Sequence, residues 1–151
     1  MDSRWKVLIV FLFVTATGCA ALTIDPVDYS WGIESVLPVD KDGSVAGVPK
    51  TLSFNAAPLY ALEMGGVPQD GKRIIRVIRN RAGYYFVTAP AFKHVYVFRG
   101  GSGSLKLSRK ILADPEGMKR PAFNQRAPYI QLINGKKVLM LTESGVSGDT
   151  E

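Results

Sequence analysis

From Trp31 onward the chain alternates short runs of β-branched and aromatic residues with turn-forming breakers, and that rhythm restricts what it can fold into. "RIIRVIR" (73–79) and "YYFVTA" (84–89) flank "NRAG", and "KHVYVFR" (93–99) and "SLKLSRK" (104–110) flank "GGSG". "YIQLI" (129–133) and "KVLMLT" (137–142) flank Asn134-Gly135, a pair that favours a type I′ hairpin turn. "WGIESVLPV" (31–39) runs into "DKDG", and "KTLSFN" (50–55) alternates Leu52 and Phe54 with Thr51 and Ser53. Val, Ile, Tyr and Phe suit a pleated, half-buried surface, and breakers at such short intervals leave no room for long helices. The expectation is an all-β, single, small antiparallel domain, a sandwich or small barrel built from hairpins. "APLYALEM" (57–64) has the best helix-forming composition, although its last six residues also read as a short strand after Pro58. "KRIIRVIRNR" places Arg73, Arg76 and Arg79 three apart, but its Ile and Val content and its flanking Gly71 and Gly83 favour a strand. Propeller blades recur every ~40–45 residues, and no internal repeat of that kind is strong enough to assert.

The first twenty residues follow different rules. Arg4 and Lys6 precede the apolar run "VLIVFLFV" (7–14), which gives way to the small residues of "TATG" before Cys19. A charged start, a short hydrophobic stretch and a small-residue exit form the layout of an export signal. The run falls well short of the ~20 residues a membrane-spanning helix needs. Cys19 is the one cysteine of the chain, so no intramolecular disulfide can form.

Ala16-Thr17-Gly18-Cys19 resembles the lipobox of bacterial lipoproteins, a family that usually has Leu where this chain has Ala16. The resemblance implies cleavage after residue 18 and a diacylglycerol thioether on Cys19, with further acylation, commonly by palmitate, of the new amino terminus. Several acyl chains exceed what stable anchoring requires, at about 0.8 kcal/mol per buried CH₂. The absence of Asp beside the Cys implies, in a host with two membranes, the outer membrane. The expected organisation is a cleaved signal peptide at 1–18, a lipidated tether at 19–30, and the β domain at 31–151.

Chemistry is sparse in that domain. His94, the one histidine, shares a strand face with Tyr96 and Phe98, and reads as an ordinary strand histidine beside aromatics. Without a second His or a free Cys, no conventional metal site is expected. Glu34, Glu63, Glu116 and Glu143 are scattered, with no spacing that nominates an acid–base pair. "GGSGS" (100–104) lacks both the nucleophile-elbow pattern and a phosphate-loop ending, and "DKDGS" (40–44) lacks the terminal acid of a calcium loop. An enzyme is not expected, nor a cofactor beyond the covalent lipid.

The net charge is +6, and Lys72, Arg73, Arg76, Arg79 and Arg81 cluster around one hairpin. They read either as a sheet edge kept soluble by charge or as a contact for acidic groups; export argues against nucleic acid. Residues 113–128, "ADPEGMKRPAFNQRAP", read as a long loop with three prolines. Loops longer than ~12–15 residues are uncommon in compact domains and often functional. Lys119, Arg120, Phe123 and Arg126 are its candidate partner-binding residues, with Met118 as a second apolar anchor; a crossover whose Phe123 folds into the core is the alternative. The functional expectation is a lipid-anchored, non-enzymatic binding or assembly subunit docking on an envelope protein. The alternative is a lipoprotein that captures an acidic glycan, lipid or peptide on a basic and aromatic surface, for which Tyr84, Tyr85, Tyr96 and the arginines would line a concavity.

Overall fold

The computed structural model describes residues 34–46 and 52–147. Cys19, the export signal and the tether lie outside the described residues. The domain is all-β and antiparallel, with one short helix. In chain order the elements are β1 (Ser35–Pro38), β2 (Ser44–Ala46), β3 (Ser53–Asn55), α1 (Ala57–Met64), β4 (Ile74–Arg79), β5 (Tyr84–Thr88), β6 (His94–Gly101), β7 (Ser104–Leu112), β8 (Pro121–Arg126), β9 (Tyr129–Asn134), β10 (Lys137–Thr142) and β11 (Gly145–Val146). A five-stranded sheet runs β1-β4-β5-β6-β7, and a four-stranded sheet runs β11-β10-β9-β8. The pair β2-β3 forms a separate ribbon.

Register assigns the faces. Val77 pairs with Val87, which pairs with Tyr96, which pairs with Lys110, so these four share one face of the large sheet. Ile78, Phe86 and Val97 follow one another across the other face. Both sets are almost wholly buried up to β6, so this sheet is covered on both sides. The second sheet covers the face of Phe86 with its own Phe123, Ile130, Leu132 and Leu141. The other face lies under α1 and the β2-β3 ribbon. The result is three layers around one core.

Residues 59–64 are helix, not strand. Pro58 sits in the first turn, where its missing N–H costs nothing, and Asn55 Oδ1 accepts the Ala57 N–H at 2.7 Å. Gly65, at φ 76°, ends the helix, its N–H returning to Ala61 O. Tyr60 Oη donates to Ile74 O at 2.9 Å and ties the helix to β4.

The long loop at 113–128 is not a loop throughout. Its second half is β8, paired with β9 from Pro121↔Asn134 to Arg126↔Tyr129. Pro is tolerated there because it is the first residue of an edge strand. The first half, 113–120, is a pinned turn. Met118 N–H donates to Phe92 O, Ala91 N–H donates to Met118 O, and Asn134 Nδ2 donates to Asp114 Oδ2. Asn134 is thereby occupied, and the β9–β10 turn centres on Gly135-Lys136, with Gly135 at φ 63°, one residue beyond the predicted pair.

The arginine cluster does not line an edge. β4 is internal, with β1 on its outer side. Arg73 donates to Val39 O, Pro68 O and Gln69 O, Arg76 pairs with Glu34, and Arg79 lies 5.4 Å over the Tyr85 ring. The exposed edge is β7, where Lys106, Arg109 and Lys110 point to solvent and Ser108 is bulged out between Arg109 and Leu107.

Candidate functional site

The face under α1 carries the two arrangements with chemical potential. The first is built by helix geometry: one turn after Tyr60, Glu63 points down onto β6. Its side chain is only 2% exposed. Oε1 accepts from the Tyr96 hydroxyl at 2.6 Å and faces His94 Nδ1 at 2.8 Å, and Oε2 accepts the Lys93 N–H at 2.7 Å. A carboxylate offers only acceptors, so Nδ1 is the nitrogen that carries a proton toward Glu63. Burial alone would raise the Glu63 pKa. The hydrogen bonds from Tyr96, the Lys93 N–H and His94 outweigh it and hold the carboxyl below its usual range. Burial, with the Glu63 carboxylate beside it, pushes the Tyr96 hydroxyl well above the usual phenol range, so it stays a donor. Among the described residues no hydroxyl or thiol is bonded to His94 Nε2. The cluster holds α1 on the sheet and fixes the His94 ring.

His94 is therefore the strand histidine beside aromatics that its pattern suggested, at 6.3 Å from the Tyr96 ring, but it also pairs with an acid. Glu63 had no legible role. It stands 31 positions from His94, and only the helix at 57–64 turns it toward β6.

The second arrangement is an open cleft of about 610 Å³ between the β2-β3 ribbon, the start of α1 and the far end of the β6–β7 hairpin. The rings of Phe54, Tyr85 and Phe98 line it with Leu59 and Leu105, and Gly100 forms part of its floor. Among the described residues, no Asp, Glu, Lys, Arg or His lines it. Its size falls within the range of small-ligand sites, roughly 300–1,000 Å³.

The predicted contact residues are not brought together. Phe123 is 6% exposed and belongs to the core between the sheets, so it is not a surface anchor, and Met118 is fully buried. Lys119 and Arg120 are exposed at the turn before β8, whereas Arg126 is exposed at its far end, about 20 Å along the strand at ~3.3 Å per residue. The tyrosines also divide. Tyr85 lines the cleft, Tyr84 alternates to the opposite face, and Tyr96 is buried beneath Glu63. No family profile matches the chain, and no curated protein and no solved structure matches it.

Proposed function

We infer that this protein is an exported, lipid-anchored binding or assembly subunit of an envelope complex, held in the membrane through Cys19. The observation that carries this reading is the ordered layout of residues 4–19: cations, an apolar run too short to span, small residues, then the one cysteine. A domain of this size can hold together through its own core without disulfides, which makes it compatible with export. Among the described residues no helix is long and apolar enough to cross a membrane, so a lipid on Cys19 would supply the attachment. In a two-membrane host, Ala20 in place of Asp beside Cys19 favours the outer membrane as the site of action.

The test is Cys19→Ser in cells fed labelled palmitate. The parent should take up label and sediment with membranes, and the variant should remain uncut and unlabelled. A variant that matures to the parent's size and stays with the membrane would sink the reading. Crosslinking in the same cells, read by mass spectrometry, identifies the partner.

A second reading, a ligand-binding lipoprotein, is favoured by the cleft. It differs in two respects from a capture surface of arginines and tyrosines: the arginines of 73–79 are engaged within the fold, and the described lining of the concavity is uncharged.

A further inference from the structure

Gly100 has no conformational reason to be glycine. It lies in β6 opposite Leu105, and its φ is outside the left-handed region. A Cβ built there meets only Tyr85 Cε2, at an ordinary contact distance of 3.5 Å. Glycine within a strand weakens it and often marks a place where a ligand approaches closely. Here the missing side chain is one that would project into the cleft, since Gly100 shares a face with Phe98 and Tyr85. The glycine keeps that space open.

Two cations flank the cleft on this face: Arg79, across from Tyr85 and stacked 5.4 Å over its ring, and Lys110 on the β7 side. Along β6, Phe98 and Gly100 line the cleft. Tyr96 lies one side-chain step back, about 7 Å at ~3.4 Å per residue. Lys110 is directly across from Tyr96, with Nζ 5.7 Å from the ring centroid. Lys110 is exposed and has no acidic partner among the described residues. Glu63, beneath it, is almost fully enclosed and already accepts three hydrogen bonds. Leu107 and Leu112, each 54% exposed, extend the apolar surface on this face of β7. Among the described residues, an uncharged trough with the exposed ammonium of Lys110 beyond its β7 end matches a molecule with an aliphatic tail and an anionic head.

We propose that the cleft binds a single-chain anionic lipid, with its acyl tail between Phe54, Tyr85 and Phe98 over Gly100 and its head on Lys110. This names the ligand class of the ligand-binding reading above and rests on it. A charged peptide fits less well, because none of the described lining residues offers a countercharge.

The probe is palmitate carrying a mid-chain diazirine and a terminal alkyne, fed to cells that express the full chain. Labelled peptides are then mapped with and without irradiation. Irradiation-dependent label is expected on peptides covering 52–59 and 98–105. Gly100→Leu should abolish most of it. Lys110→Glu, at an exposed position, should lower it about fivefold, the effect of one exposed charge contact. Melting of both variants checks their fold, and Lys110→Glu carries the test alone if Gly100→Leu does not accumulate. The adduct mass separates the free acid from a lysophospholipid; an adduct bearing a second acyl chain overturns the single-chain assignment. Label unchanged in Lys110→Glu overturns the head assignment. Label unchanged in Gly100→Leu, or spread over the surface without enrichment at the cleft, overturns the site. Irradiation-independent label at Cys19 reports anchoring separately, so failure of either idea is read without the other.

Discussion

Glu34 and Phe123, 89 positions apart, are joined by a hydrogen bond from the Phe123 backbone N–H to Glu34 Oε1 at 2.9 Å. That N–H points away from β9, on the open edge of β8, where no strand supplies an acceptor. Glu34 Oε2 pairs with Arg76 of β4, so one carboxylate ties the two sheets together. Glu34→Ala removes the tie and leaves a half-buried guanidinium and an edge N–H without their acceptor. A loss of about 3 kcal/mol is expected in urea denaturation. Glu34→Gln, which keeps an acceptor for Phe123, should lose less.

Glu34 and Glu63 respond to pH with opposite signs. Burial raises the pKa of Glu34 above its ordinary value despite Phe123 and Arg76, whereas the hydrogen bonds of Glu63 lower its pKa despite burial. Glu63 therefore contributes stability that is present above its unfolded pKa, about 4.3, and lost as pH falls through the folded value. The contribution of Glu34 is complete below that unfolded value and is lost as pH rises through its higher folded value. The deficit of Glu63→Gln against the parent should shrink on acidification below about pH 4, and that of Glu34→Gln should grow from neutral pH toward pH ~4. Urea titrations across that interval check both. Deficits that move in parallel would refute the assignment.

Phe123→Ala should cost about 3–5 kcal/mol of stability, because the ring is lost from the core between the sheets. Lys119→Ala, Arg120→Ala and Arg126→Ala, all at exposed positions, should each change stability by no more than about 0.5 kcal/mol. Thermal melts of the four variants decide this. An unchanged melting temperature for Phe123→Ala would return that residue to the surface.

Gly117 and Gly103 both have positive φ, at 87° and 69°, but only one is crowded. A Cβ on Gly117 would lie 2.8 Å from Ala91 O, whereas a Cβ on Gly103 meets nothing within 4 Å. Gly103→Ala should therefore cost only the left-handed backbone penalty, about 1 kcal/mol. Gly117→Ala adds a clash with backbone that the Ala91 N–H to Met118 O hydrogen bond holds in place. A loss clearly above 2 kcal/mol is expected, on the order of an overpacked core. Equal losses in chemical denaturation would show that the turn at 91 yields freely.

The hairpins were legible in the sequence because each carries its own turn. β4–β5, β6–β7 and β9–β10 lie within a few residues of the segments flanking "NRAG", "GGSG" and Asn134-Gly135. β8 was not legible, since Asn124 and Gln125 are poor strand formers and Pro121 opens the segment; its partner strand holds it in place. The helix at 57–64 was ambiguous because burial of Leu59 and Tyr60 fits a strand as well as one helical face. The role of Arg76 could not be read either, because its partner is 42 positions away on a segment with no pattern of its own. The cleft is assembled from three separate segments, and local spacing carries no trace of such a site.

The eight-residue helix has a kinetic consequence. Isolated helices below ~12–15 residues are marginal in water, so α1 persists through its attachments: the packing of Leu59 and Tyr60, the Tyr60–Ile74 bond and the three bonds to Glu63. Its opening free energy is then set by those contacts and not by global unfolding. Amide exchange in 57–64 should be faster than in β5 and β6, and Glu63→Gln should accelerate it while leaving the central strands protected. Because Pro58 and Leu59 also form one wall of the cleft, the rate at which this helix lifts sets an upper limit on how long that wall stays closed.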